Sequence, residues 1–300
     1  MSGKNNVILI ACIFILFLSS LIVCPAGKAD LLTLEDVTMI KEDTCTCTFD
    51  GVKHTFLLAL PETPEGAQLV LMLPGYGNTA EAFRAQTHFE EPANTLGYAV
   101  VYVTGAPDPN SSTSAFGWHS ENDTPGNRDV EFLVALTDYL REAYSLDREH
   151  AYIVGFSNGA FMTHRLAMEA SDTFSAFVSV AGLMPESVWN SRKESNAISL
   201  FQITGEKDPV IPKKSDGSAQ FSKAPAIEDV MAYWVSSVGL QRLETEQIGN
   251  DSVLMKYGTG GKTHQIWDLY VTGGRHSWPS GKFNQIDTNS LILEFFEAQK

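Results

Sequence analysis

Cysteine is scarce, with 4 in 300 residues, and that excludes a fold framed by disulfides. Basic residues are few as well: 21 Lys and Arg stand against 36 Asp and Glu, for a net charge of −15. Such a deficit argues against a partner held through phosphates or through an anionic membrane surface, so nucleic acid is not an expected ligand. Charged residues make up only 19% and hydrophobic ones 44%, which excludes compositional disorder and suits one large globular domain. Repeats, low-complexity tracts and domain linkers are missing from the sequence, and past the N-terminus no segment is long and apolar enough to span a bilayer.

One long hydrophobic run is present. After Lys4, Val7–Val23 is uncharged and apolar over 17 residues, and Pro25 and the small-residue stretch Gly27-Lys28-Ala29 follow it. The pattern predicts an export signal over residues 1–29, cut near Ala29, and a secreted mature domain over residues 30–300. Two alternatives stay open: an uncleaved anchor, since 17 residues reach the lower limit for a span, and lipidation of Cys24, although Val23 before it is bulky. Cleavage removes Lys4 and Lys28, takes the net charge from −15 to −17, and leaves no stable membrane partner. It also leaves Cys45 and Cys47, alternate residues of a strand with Cα atoms about 6.5 Å apart and badly oriented for a disulfide. These read as half-buried free thiols. No Cys or His spacing supplies a metal-ligand set, so neither a metal nor another cofactor is expected.

The hydrophobic pattern predicts an α/β architecture. Thr44–Phe49, the turn pair Asp50-Gly51 and Val52–Leu60 form a β-hairpin pattern. Short apolar runs suited to fully buried strands follow at Leu69–Leu73, Ala99–Val103, Ala151–Val154, Ala176–Ala181, Leu200–Thr204 and Ile266–Val271. Helical stretches separate most of them. Asn78 with Glu81 makes a capping-box start for a helix toward Leu96, and Val130, Leu133, Leu136 and Leu140 make one helical stripe. Further helices are expected after Ser157, over Ala226–Val238 and over Thr288–Ala298. Alternation of this kind implies a mostly parallel central sheet covered on both faces, with the N-terminal hairpin as its antiparallel edge. The polar stretch Asp108–Arg128 reads as a long loop at the rim of a site.

Chemistry concentrates at Gly155-Phe156-Ser157-Asn158-Gly159, a G-x-S-x-G directly after a buried strand and directly before a helical stretch. Small residues on both sides of the serine permit a sharp turn that lifts its hydroxyl above the sheet edge, with a helix dipole behind it. A serine needs a base, and the base needs an orienting carboxylate, both downstream in this strand–serine–helix context. His276 lies in a glycine-bearing loop just past the strand Ile266–Val271, whereas His264 precedes that strand and falls at the wrong end of the sheet. Asp208 follows Leu200–Thr204, with Glu206 as a rival acid and Asp216 as a weaker one. Backbone N–H of Asn158 is a candidate oxyanion donor, and Tyr76, in the loop Leu73-Pro74-Gly75-Tyr76-Gly77-Asn78, is nominated for the second.

These segments carry a resemblance. Leu-Pro-Gly-Tyr-Gly, Gly-Phe-Ser-Asn-Gly-Ala-Phe-Met with the following Arg165-Leu166-Ala167, Gly-Glu-Lys-Asp-Pro-Val-Ile-Pro and Gly-Gly-Arg-His-Ser-Trp-Pro together resemble the secreted polyhydroxybutyrate-depolymerase and feruloyl/acetylxylan-esterase group of α/β-hydrolases. Asp129-Val130-Glu131-Phe132-Leu133 also resembles that group's helix start. The resemblance implies an α/β-hydrolase fold with Ser157 as nucleophile, Asp208 as orienting acid and His276 as base, in agreement with the order read from the residues. The chain departs from the group at Pro74, where His-Gly usually opens the oxyanion loop, and in having no mature cysteines beyond Cys45 and Cys47.

The expected function is therefore a secreted serine carboxylic-ester hydrolase. Its substrate is a plant-polysaccharide ester, feruloyl or acetyl, or a polyhydroxyalkanoate-type ester, since export favours a polymer outside the cell. Trp118 and Trp278, and more weakly Trp189, are candidates to flank an aromatic acyl group or a sugar ring. His119 has no assigned role. Two other classes stay open: a secreted serine peptidase of the prolyl-oligopeptidase type, and a non-catalytic binding relative of the fold.

Overall fold

In the computed structural model the described residues are 33–122, 128–211, 213, 223–259, 264–281 and 285–300. The expected export signal and the rival acid Asp216 lie outside them. Along the chain the elements are β1 (Glu35–Met39), β2 (Thr44–Phe49), β3 (Val52–Ala59), β4 (Leu69–Leu73), α1 (Ala80–Thr87), α2 (Glu90–Thr95) and β5 (Ala99–Thr104). The short strands β6 (Ala106–Pro107) and β7 (Phe116–Gly117) follow, then α3 (Asp129–Ala143), β8 (Ala151–Phe156), α4 (Asn158–Glu169), β9 (Ala176–Val180) and α5 (Glu186–Asn190). The last elements are β10 (Leu200–Gly205), α6 (Ile227–Ser237), β11 (Gln241–Ile248), β12 (Ser252–Gly258), β13 (Ile266–Val271) and α7 (Thr288–Glu297).

Among the described residues 11 strands form one sheet in the order β1-β2-β3-β5-β4-β8-β9-β10-β13-β12-β11. From β5 to β13 every neighbouring pair is parallel, and both edges are antiparallel. Pleating sorts the side chains two by two. Leu69, Leu71, Val101, Ile153 and Phe177 pack with Leu133 and Leu136 of α3, Met162 and Leu166 of α4 and Trp234 of α6. Val70, Met72, Val100, Tyr102, Val154 and Val178 pack with Phe83 of α1, Ala93 of α2 and Phe295 and Phe296 of α7. Both faces are thus covered, which is why the central strands read as unbroken apolar runs.

The N-terminal hairpin is β2 and β3, and the six expected buried strands are present with small shifts at their ends. Three details differ. The N-cap of α1 is Thr79, whose hydroxyl accepts from Ala82 N–H at 3.3 Å, while Asn78 Oδ1 accepts from Thr79 N–H at 3.0 Å. The single helix expected toward Leu96 is two, because His88 adopts a left-handed conformation with φ 47° and closes α1. Cys45 and Cys47 are fully buried free thiols within the core, not half-buried ones. No helix among the described residues is long and apolar enough to cross a membrane.

Candidate active site

Ser157 sits on the sharp turn between β8 and α4, with φ 51° and ψ −117°. That conformation is sparsely populated for a residue with a Cβ and is held by its surroundings. Ser157 N–H donates to Val180 O at 3.0 Å, and its carbonyl accepts from Phe161 N–H at 2.9 Å. Close crossing of backbones explains the flanking glycines. A Cβ at Gly155 would lie 2.2 Å from Gly159 O, and one at Gly159 would lie 2.1 Å from Leu73 O. Nothing larger fits, so strand and helix meet at the angle that exposes the serine hydroxyl.

Ser157 Oγ lies 2.8 Å from His276 Nε2, and His276 Nδ1 lies 2.8 Å from Asp208 Oδ2. A carboxylate only accepts, so Nδ1 carries the hydrogen and Nε2 presents its lone pair to the serine hydroxyl. The Asp208 side chain is fully buried and the imidazole is partly exposed. Asp208 Oδ1 accepts from Val210 N–H at 2.8 Å and from Ile211 N–H at 3.3 Å, which fixes the carboxylate plane. The loops bearing Asp208 and His276 leave adjacent parallel strands, with Gly205 paired to Val271, and backbone bonds stitch them together. Glu206 N–H donates to Val271 O at 2.9 Å and Lys207 N–H to Gly274 O at 2.7 Å. The rival acid Glu206 faces neither the serine nor the imidazole: its Oε2 accepts from Gly273 N–H at 2.7 Å and braces the histidine loop. His264 lines a cavity with His150, Ser175 and Ser199 at the opposite ends of the strands.

The loop after β4 also reaches Ser157, for a Cβ at Gly75 would lie 3.2 Å from Ser157 Cβ. Tyr76 is 55% exposed, and its hydroxyl donates to Asp108 Oδ2 at 2.8 Å. The Asn158 side chain is engaged on both of its polar atoms: Oδ1 accepts from Trp118 N–H at 2.7 Å and Nδ2 donates to Trp118 O at 3.0 Å. Trp118 is buried, with its indole N–H donated to Pro74 O at 3.0 Å. The next residues are pinned too. Buried Asp129 accepts from His119 N–H at 2.7 Å and lies 3.1 Å from its Nδ1, and that hydrogen bond raises the His119 pKa above its ordinary value. Arg165 Nη1 donates to His119 O at 2.8 Å. Sequence reading left the Asn158 side chain, Arg165 and Glu206 without these roles because their partners are loop backbone groups 40 or more residues away, and Asp129 because its partner His119 lies in the preceding loop, where no periodicity pairs them. A cavity of about 280 Å³ lies beside this loop, lined by Tyr76, Asp108, Asn110, Trp118 and His119. Trp278 packs edge-on against Phe83 at 5.7 Å and Phe156 at 6.5 Å and borders a separate cavity of about 270 Å³ with Gln86, Thr87 and Asn289. Trp189 lies away from both cavities, stacked under Arg192 at 3.7 Å.

Comparison with known proteins agrees with this architecture. The chain is 29% identical over 246 residues to the proposed esterase NocK of Nocardia uniformis subsp. tsuyamanensis, covering 74% of this chain and 69% of that protein. It is 32% identical over 120 residues to poly(3-hydroxyalkanoate) depolymerase C of Paucimonas lemoignei, covering 40% of this chain but only 28% of that protein. Among solved structures it superposes on an acetyl xylan esterase from Aspergillus awamori with a TM-score of 0.58 at 13% identity, over 82% of this chain and 94% of the other. Likeness at that identity establishes the α/β-hydrolase fold. Residues 66–233, which include Tyr76, Ser157 and Asp208 and end before His276, match the family model described as serine hydrolase (FSH1). The chain therefore belongs to the FSH1 serine hydrolase family.

Proposed function

We propose that this hydrolase cleaves carboxylic esters through an acyl-enzyme on Ser157, with His276 as general base and acid and Asp208 as its orienting partner. The observation that carries the proposal is the unbroken chain from Asp208 Oδ2 through the imidazole to Ser157 Oγ, two contacts of 2.8 Å each. His276 Nε2 takes the hydroxyl proton as Oγ attacks the ester carbonyl, and Asp208 stabilises the imidazolium. The N–H groups of Asn158 and Tyr76 hold the oxyanion, aided by the N-terminus of α4. Collapse of the tetrahedral intermediate passes the proton from His276 to the departing alcohol. Water, deprotonated by the same imidazole, then attacks the acyl-enzyme and releases the acid.

The substrate we propose is an ester of a polymer outside the cell, with export directed by residues 1–29: a feruloyl or acetyl ester of plant polysaccharide, or a polyhydroxyalkanoate-type ester. Chemistry beside the oxyanion loop favours the saccharide. Tyr76 offers an exposed ring, and Asp108, Tyr76 Oη and His119 line the same cavity as hydrogen-bonding groups. A hydroxyl-rich sugar supplies donors to such a wall, whereas a polyester backbone brings acceptors and apolar surface. Trp118 belongs to this wall, and Trp278 borders a separate cavity.

The test is hydrolysis of methyl ferulate, acetylated xylan and polyhydroxybutyrate in parallel, with Ser157→Ala as control. Release of ferulate or acetate by the wild type alone supports the plant-wall reading, and hydroxybutyrate release identifies the polyester. Cleavage of peptides without any ester turnover would instead identify a peptidase of the prolyl-oligopeptidase type.

A further inference from the structure

Pro74 stands where the oxyanion loop begins, and proline has no N–H with which to anchor that loop. Its carbonyl is the one backbone hydrogen-bonding group it offers, and the buried Trp118 indole donates to it at 3.0 Å. The Trp118 peptide is in turn gripped on both sides by the Asn158 side chain, at 2.7 Å and 3.0 Å. A second tie runs from Gly77 N–H to Phe116 O at 2.8 Å, and the lack of a side chain at Gly117 lets the Tyr76 ring lie against it, since a Cβ there would be 2.9 Å from Tyr76 Cδ2. Backbone hydrogen bonds hold the clamping segment itself as β7, paired to β6.

From this geometry, and resting on the ester-hydrolase reading above, we infer that Trp118 is a positioning residue for the oxyanion hole. One residue couples the two donors: the Trp118 indole holds the loop that carries the Tyr76 N–H, and the Trp118 backbone N–H and carbonyl hold the side chain of the other donor residue, Asn158. The indole bond to Pro74 O is buried and the two Asn158 bonds are part-buried; cutting the first leaves a buried carbonyl without its donor, so the relay sets the spacing of the two oxyanion donors and does more than decorate the wall. It acts in the transition state, when charge develops on the carbonyl oxygen, and not on the bound ester.

Trp118→Phe tests this by deleting the indole donor while keeping an aromatic ring, and 3-benzothienylalanine at position 118, which keeps the bicyclic shape and puts sulfur where the N–H was, separates loss of the donor from loss of volume and serves if the Phe variant fails to fold. With p-nitrophenyl acetate, kcat is expected to fall about 10- to 100-fold, the cost of a small misplacement of catalytic groups, while KM stays within about twofold. The pH profile of kcat/KM stays where it is, because Asp208 and His276 are untouched. Affinity for an alkyl boronic acid, whose tetrahedral adduct places an oxygen in the hole, falls in step with kcat/KM. In a double-mutant cycle, Trp118→Phe combined with Asn158→Ala loses no more than the worse single variant, since both cut one relay. A kcat within about twofold of wild type, a loss carried by KM alone, or additive losses would overturn the inference. Failure of the parent reading looks different: p-nitrophenyl acetate turnover would then survive Ser157→Ala.

Discussion

Replacing Ser157 by glycine should give a more stable protein than replacing it by alanine, the reverse of the usual order. Both substitutions delete the hydroxyl and its 2.8 Å contact with His276, so the difference between them isolates the Cβ. At φ 51° and ψ −117° that Cβ is strained by about 2 kcal/mol, within the range for residues held in sparsely populated backbone regions. Glycine relieves the strain but gives the unfolded chain extra freedom, at a cost of about 0.4–1 kcal/mol. The balance favours glycine by about 1 kcal/mol, which for a protein of this size raises Tm by about 2–4 °C. Thermal unfolding of the two variants side by side, followed by circular dichroism, measures it. An alanine variant that melts higher would mean that the elbow stores no strain, and that the turn is set by something other than the crossing of β8, α4 and β4.

Gly159→Ala should be far more damaging, because its Cβ would lie 2.1 Å from Leu73 O; an unfolding free energy lowered by about 1–3 kcal/mol or more in urea titration is expected, and a wild-type value would contradict the packing argument. Asp208→Asn keeps an oxygen for the Val210 and Ile211 N–H groups but turns the other atom into a donor. That forces the hydrogen to Nε2 and removes the base, so kcat on p-nitrophenyl butyrate should drop by about 10⁴-fold with little change in thermal stability. Acid should weaken the fold. Burial holds His54 and His164 neutral, with pKa values near 4 against an ordinary 6.5, so between those values the unfolded chain binds protons that the folded one refuses. Stability should therefore fall as pH drops from 6.5 to 4, by about 3 kcal/mol for each histidine. His54→Leu should flatten that slope, and parallel curves for variant and wild type would refute it. Asp268 works in the opposite sense: burial raises its carboxyl to about 6, so Asp268→Asn should gain stability above that pH.

Much of the fold was legible because burial on both faces leaves a simple trace. β4, β8 and β13 are apolar at almost every position, and a short run of that kind between helical stretches is the mark of a strand buried on both faces. The far edge was not legible. β11 reads Gln-Arg-Leu-Glu-Thr-Glu-Gln-Ile and is exposed along most of its length, so no alternation marks it; only the turn at Gly249-Asn250-Asp251 before β12 hints at a hairpin. The break at His88 was hidden as well, since a histidine in left-handed conformation leaves no glycine to announce the helix end. At the site, Ser157, Asp208 and His276 were readable because each follows a recognisable buried strand. The Asn158 side chain and the Trp118 indole were not, because each is satisfied by a backbone group about 40 residues or more away, and such bonds have no sequence period. Trp118 reads from the sequence as a surface for substrate; in the structure it lines the cavity beside Tyr76 and also gives its indole N–H to Pro74 O, a bond the sequence does not announce.

The most direct test of the central claim is covalent. Treatment with a p-nitrophenyl alkylphosphonate should release one equivalent of p-nitrophenol, abolish ester turnover and leave the phosphonyl group on the peptide bearing Ser157, as read by mass spectrometry. Ser157→Ala should take up none. Modification at another residue, or full ester turnover by a protein labelled at Ser157, would contradict the assignment of this serine as the nucleophile.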